Sequence, residues 1–173
     1  IKNLSLEEKT FRQKNLDLFY KSGFPSKKVE DWKFTDLDVI LNKNFESISN
    51  EINFKPDEKL EIIKNFKHNY IFLINGKIIS TSFIYEEKNK ILIKDFDQKE
   101  AANFYLANTL TLLNSALSSG GFSLEISKNY KLNKPLVIYN YFSKGLKNKI
   151  LNNKNSIKLH KGAELILIDY NAG

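Results

Sequence analysis

The rhythm of apolar positions in this chain changes near residue 121. Before that point apolar residues recur at helical spacing or in short alternating runs. After it they fall at every second position to the end. Ser5-Leu6-Glu7-Glu8 has the S-x-x-E form of a capping box, in which side chains satisfy free amides at a helix start. Leu6, Phe11, Leu16, Phe19 and Tyr20 then recur at roughly helical spacing, and Gly23 followed by Pro25 ends the run. Lys9, Lys14 and Asp17 interrupt the stripe. The pattern therefore predicts an amphipathic helix covering a core, not one lying on a membrane.

Residues 23–37, GFPSKKVEDWKFTDL, hold a turn, a charged run and the one tryptophan. Trp32 and Phe34 lie two apart, so in an extended segment they would point the same way. Glu30 and Asp31 are placed to cap the next helix or to pair with Lys27, Lys28 or Lys33. Acid–base chemistry would need a further partner and a cleft, so the segment reads as an aromatic anchor ringed by surface charge. Thr35 or Asp36 caps a short helix over 38–41, residues 42–53 read as loop, and Pro56 opens a helix with Leu60, Ile63 and Phe66 on one face. Residues 70–75, Gly76 and residues 77–84 predict a hairpin around Asn-Gly, with 91–94 as a third strand of a small antiparallel sheet. The longest predicted helix is 98–119. Ala101, Ala102, Tyr105, Leu106, Leu110, Leu112, Leu113, Ala116 and Leu117 cover so much of its girth that it should be largely buried.

Beyond it the alternation predicts strands at 123–127, 136–142, 156–160 and 164–170. Leu124 and Ile126, Leu136 and Ile138, Ile157 and Leu159, and Leu165 and Leu167 are the inward pairs. Turns fall at Asn129, Asn133-Lys134-Pro135, Gly145, Asn152-Asn153 and Lys161-Gly162.

With 173 residues, the chain is one domain or two small ones, and 42% hydrophobic and 13% aromatic residues suffice for a core. No apolar run approaches the ~20 residues of a membrane span, and no signal-peptide pattern opens the chain, so a cytoplasmic protein is expected. Cysteine is absent, which excludes disulfides, Cys–zinc sites and a Cys-ligated cluster on these residues. The net charge of +7 raises the question of nucleic acid. Arg12, however, is the single arginine among 27 basic residues, and arginine is the residue suited to bidentate phosphate and base contacts. The lysines are evenly spread, as on a solvated surface, and nucleic acid is not an expected partner.

Candidate chemistry is sparse. Ser118-Ser119-Gly120-Gly121 follows a helix where a phosphate cradle opens one, so it reads as a helix C-cap. His68 and His160 are the only histidines, and neither has a second His or Cys at local ligand spacing. Asp95 and Asp97 alternate like outward residues at a strand end. No G-x-S-x-G is present to support a Ser–His–Asp triad. The residues assign no catalytic, cofactor-binding or metal position, and a non-enzyme is expected.

Three stretches carry a family resemblance. LNSAL (113–117), a Gly-containing break, LEIS (124–127) and KPLVIY (134–139) together resemble the entry to the β-helix of the SufB/SufD proteins of iron–sulfur cluster assembly. EDWKFTDL (30–37) is similar to the EDW[KR]YT motif on the SufD side of that family, with Phe34 in place of the usual tyrosine. NSIKLHKGAELILIDY (155–170) resembles early β-helix rungs. The resemblance implies an α+β chain, with a helical and small-sheet domain over 1–121 and the truncated start of an all-β β-helix over 122–173. It further implies a non-catalytic scaffold subunit of a SUF complex with a SufB-like subunit and a SufC-like ATPase. In that family the ATPase-docking tail and cluster-associated residues lie later in the chain, so no functional residue carries over. ATP would sit on the partner, and the iron–sulfur cluster, transient in the assembled complex, outside this segment. A β-helix rung needs stacked neighbours. A chain starting at Ile1 and stopping just after a strand is thus expected to be the N-terminal piece of a longer one. The alternative is a self-contained α+β module that grips a peptide, glycan or nucleic acid. A third class, a β-helix acyltransferase or lyase, would have His160 as its best candidate.

Overall fold

The computed structural model describes residues 4–45, 47–48, 61–96 and 108–173. In chain order the elements are α1 (Leu6–Ser22), α2 (Leu37–Asn44), β1 (Ser47–Ile48), β2 (Asn69–Ile74), β3 (Lys77–Ser82), β4 (Ile91–Asp95), α3 (Thr109–Leu117), β5 (Phe122–Ile126), β6 (Leu136–Tyr141), β7 (Lys149–Ile150), β8 (Ser156–Leu159) and β9 (Leu167–Ala172). The fold is mixed α+β, as expected. It comprises two compact units, one of residues 1–50, 97–119 and 147–154, the other of residues 51–96, 120–146 and 155–173.

The first unit holds the helices. Ser5 Oγ accepts the Glu8 N–H at 3.2 Å, and Gly23, at φ +68°, closes the other end of α1 by donating its N–H to the Phe19 carbonyl at 2.7 Å. The capping box forms by half: the Glu8 carboxylate turns forward to Arg12, at 3.1 Å, and not back to Ser5. Arg12 also donates to the Ala116 carbonyl at 3.1 Å, which ties α1 to α3. The inner face of α1 is Phe11, Arg12, Asn15, Leu16 and Phe19. Leu6 and Tyr20 are exposed, a correction to the expected stripe. At 3.6 residues per turn, Tyr20 is rotated about 100° from Phe19 and cannot share its face. Asp36 caps α2 through the Val39 N–H at 3.2 Å, and Asn108 caps α3 through the Thr111 N–H at 2.9 Å. Residues 98–107 of the long predicted helix lie outside the described residues. α3 ends at Leu117 with Ser118 as its cap, one turn before the glycines. β1 and β7 pair in parallel.

The second unit holds two sheets, ordered β3-β2-β6-β9 and β4-β5-β8. Asn75 at φ +48° and Gly76 at φ +76° make the predicted hairpin turn between β2 and β3. β4 does not extend that hairpin. It pairs antiparallel with β5 in the other sheet, a long-range partner that local pattern does not specify. The helix expected from Pro56 is absent from its described part: residues 61–68 are irregular, and Ile62 and Ile63 pack on the β2/β6 face. Residues 51–60 are outside the described set.

β5 pairs with β8 and β6 with β9, all in parallel. Ser123 meets Ser156 and Leu136 meets Leu167. Between these pairs a bridge joins Lys131 to Glu164. The core between the sheets comprises Ile71, Leu73, Phe122, Leu124, Ile126, Tyr130, Leu136 and Ile138. Phe72, Ile74, Val137 and Tyr139 form a second cluster on the opposite face of β2 and β6. Of the expected inward pairs, Leu124 with Ile126 and Leu136 with Ile138 are buried. Leu159 and Leu167 are not, at 45% and 44% exposed, because β8 and β9 are the last strands of their sheets. The last strand starts at Leu167 and not at 164; Leu165 packs on the core from the turn before it.

Candidate interaction surface

His68 stands at the entry to β2 and Tyr139 in the middle of β6, one strand over. The ring Nδ1 lies 2.9 Å from the Phe66 carbonyl, which can only accept, so Nδ1 carries a hydrogen. Nε2 lies 2.8 Å from the Tyr139 hydroxyl, whose oxygen in turn takes the Ile63 N–H at 3.1 Å. Burial raises the Tyr139 phenol above its ordinary range, and the neighbouring Tyr170 and Tyr70 add to this against the Ile63 N–H. Both ring nitrogens of His68 are thus engaged in holding residues 61–68 on the sheet.

Glu86 sits in the loop between β3 and β4 and gathers donors from two other segments. Its carboxylate accepts from Asn69 Nδ2 at 2.7 Å, the Tyr130 hydroxyl at 2.8 Å, and the N–H groups of Asn133 and Lys134 at 3.0 and 3.1 Å. The Asn133 side chain adds a fifth donor at 3.3 Å; burial works against ionisation, yet the hydrogen bonds outweigh burial and hold the carboxyl below the usual range. Tyr130 is shifted the other way, upward, by burial and then by the nearby Glu86 and Glu87 charges. No sequence motif marks Glu86. Its one cue is a carboxylate between two predicted strands, which is common.

His160 follows β8, and its Nε2 is 3.0 Å from Glu125 Oε2, with Lys158 Nζ at 3.7 Å from the same oxygen. That is a surface ion cluster on neighbouring strands. Among the described residues no three His, Asp or Glu side chains converge as metal ligands. Asp95 ends β4; Asp97 lies outside the described residues. Glu30 to Trp32 form a 3₁₀ turn, so Trp32 and Phe34 do not share a side as an extended segment would require. Trp32 is half-buried, whereas Phe34 is 90% exposed beneath the Lys33 ammonium, which pairs with Glu30. In the first unit a cavity of about 660 Å³ is lined by Phe24, Leu41, Phe45, Leu113 and Ile150. Asn114 Oδ1, Asn152 Nδ2 and Asn153 Oδ1 are buried at its wall without a hydrogen-bond partner. Such atoms take up water readily.

The end of the stacked strands presents apolar side chains to the surface. Leu159 on β8, and Leu167, Ile168 and Tyr170 on β9, are exposed together with Ile166. Among the described residues each strand is the last in its sheet, and no described strand pairs with its outer backbone edge. The arrangement suits strand addition, not chemistry.

The comparisons with known proteins agree with this picture. The family described as SufBD protein N-terminal region matches residues 4–90. The iron–sulfur cluster assembly protein SufD of Escherichia coli (strain K12) is 22% identical over 163 residues. That alignment covers 91% of this chain and 38% of the relative, so the chain spans well under half of the relative's length. With half its residues matched by that family, the chain belongs to the SufBD proteins and carries their N-terminal region.

Proposed function

We propose that this chain is a SufD-like, non-catalytic scaffold segment of an iron–sulfur cluster assembly complex, in which the strands from residue 122 onward open a β-helix. One observation carries the reading. β5 meets β8, β6 meets β9, and Lys131 meets Glu164, each with a parallel partner about 30 residues later, within the range of solenoid repeats. Such returns stack one coil on the next, and each coil buries its apolar positions against its neighbour. The open edges of β8 and β9 are where a further coil or a partner's strand would add. A SufB-like subunit and a SufC-like ATPase are the expected partners, in the cytoplasm, with ATP on the ATPase. The cluster is cargo of the assembly, outside this segment.

The test is co-expression of the natural gene product with its SufB-like and SufC-like proteins, followed by affinity purification. Recovery of both partners, and loss of iron–sulfur enzyme activity in cells without the gene, is the expected result. Recovery of neither, with iron–sulfur enzymes unaffected in those cells, overturns the proposal.

A further inference from the structure

A cavity of about 200 Å³ opens on the β6/β9 face of the four-stranded sheet. Its walls follow from the strand register. Phe72, Tyr139 and Tyr170 pair across one row, and Ile74, Tyr141 and Ala172 across the next. In the second row Ala172 stands where its neighbours carry large side chains, and the missing bulk leaves a floor between the rings of Tyr141 and Tyr170. Phe72 and Tyr139 stack at 5.7 Å, and Tyr170 meets Tyr139 edge-on at 5.5 Å. The rings are therefore mutually braced.

Glu61 brings the one formal charge to this lining, and it is exposed, with no ion pair to a described residue. No lysine or arginine is among the described lining residues, in a chain with 27 of them. Aromatic faces carry negative partial charge, and a carboxylate beside them adds to the same field. The space is below the ~300–1,000 Å³ of pockets that enclose drug-sized ligands, so it suits a head group and not a nucleotide. We propose that this cavity binds an organic ammonium group, either a free quaternary amine or the ammonium of a lysine side chain. The inference does not depend on the scaffold role.

The probe is choline, titrated into the full chain and followed by the ring-current shift of its methyl protons. Its uncharged isostere, with a tert-butyl group on the same hydroxyethyl arm, is the control. A saturable upfield shift is expected, with the isostere about tenfold weaker, the size of a partly desolvated cation–π contribution. Tyr170→Leu and Glu61→Gln should each weaken choline several-fold. Both positions are exposed enough (Tyr170 at 43%) for the fold to persist, which circular dichroism checks. A parallel titration with Nα-acetyl-lysine methylamide separates the sources: tighter binding than choline assigns a lysine side chain, weaker binding a free quaternary amine. Equal binding of choline and its isostere, or no saturable shift with either cation, overturns the proposal.

Discussion

Glu86 shows how one carboxylate can organise three segments. Its hydrogen bonds come from β2, from Tyr130 and from the turn ahead of β6, so its charge is matched by five donors. Glu86→Gln keeps the size but loses charge-assisted bonds, and should cost about 1–3 kcal/mol at neutral pH. The folded carboxyl titrates below the ordinary 4.5. Its contribution is therefore complete above that value and is lost as pH falls through the folded pKa. Urea unfolding at neutral pH and again in acid should show the wild-type and variant stabilities converging in acid. Tyr139→Phe tests the neighbouring chain of bonds. It strands the Ile63 N–H and His68 Nε2, and a loss of about 1–3 kcal/mol is expected in the same assay.

At the scale of elements, local rules hold where the chain decides its own ends. Ser5, Asp36 and Asn108 cap α1, α2 and α3 through side-chain oxygens. The β2–β3 turn needs two consecutive positive φ angles, at Asn75 and Gly76. Gly76→Ala should destabilise by about 1 kcal/mol, because a Cβ disfavours that backbone region. A fall in melting temperature without a change in circular dichroism is the result expected. Strand partners obey no such local rule. β4 leaves the hairpin for β5, and Arg12 takes a place on the inner face of α1 because it finds both Glu8 and the Ala116 carbonyl.

At the scale of the whole molecule, the second unit depends on the cluster shared by its two sheets. Leu124 is fully buried within that cluster. Leu124→Ala should cost about 2–5 kcal/mol, which thermal unfolding measures, since a side chain packed from both sheets leaves a cavity the sheets cannot close. The exposed end at β8 and β9 contrasts with this core. Leu167 stands opposite buried Leu136 and Leu159 opposite buried Ile126, but Asp169 stands opposite Ile138, so the apolar row is only partly repeated at this edge.

Apolar period and turn chemistry by themselves determined where most described elements lie. The N-caps of α1 and α2, the Asn-Gly hairpin and the strands β5, β6 and β8 follow from period, capping and turn rules, which act over a few residues; the N-cap of α3 at Asn108 falls inside the longer helix that the period predicted. The family resemblance was legible too, in EDWKFTDL and in the order of LNSAL, LEIS and KPLVIY. Tertiary structure alone decided which strands meet. Whether Leu124 and Leu159 end buried or exposed depends on position within a sheet, and that is set by partners about 30 residues away. The Glu86 knot, the His68–Tyr139–Ile63 chain and the aromatic cavity were illegible for the same reason. Each joins residues from distant segments, and no residue in it is unusual until the backbone brings the others to it.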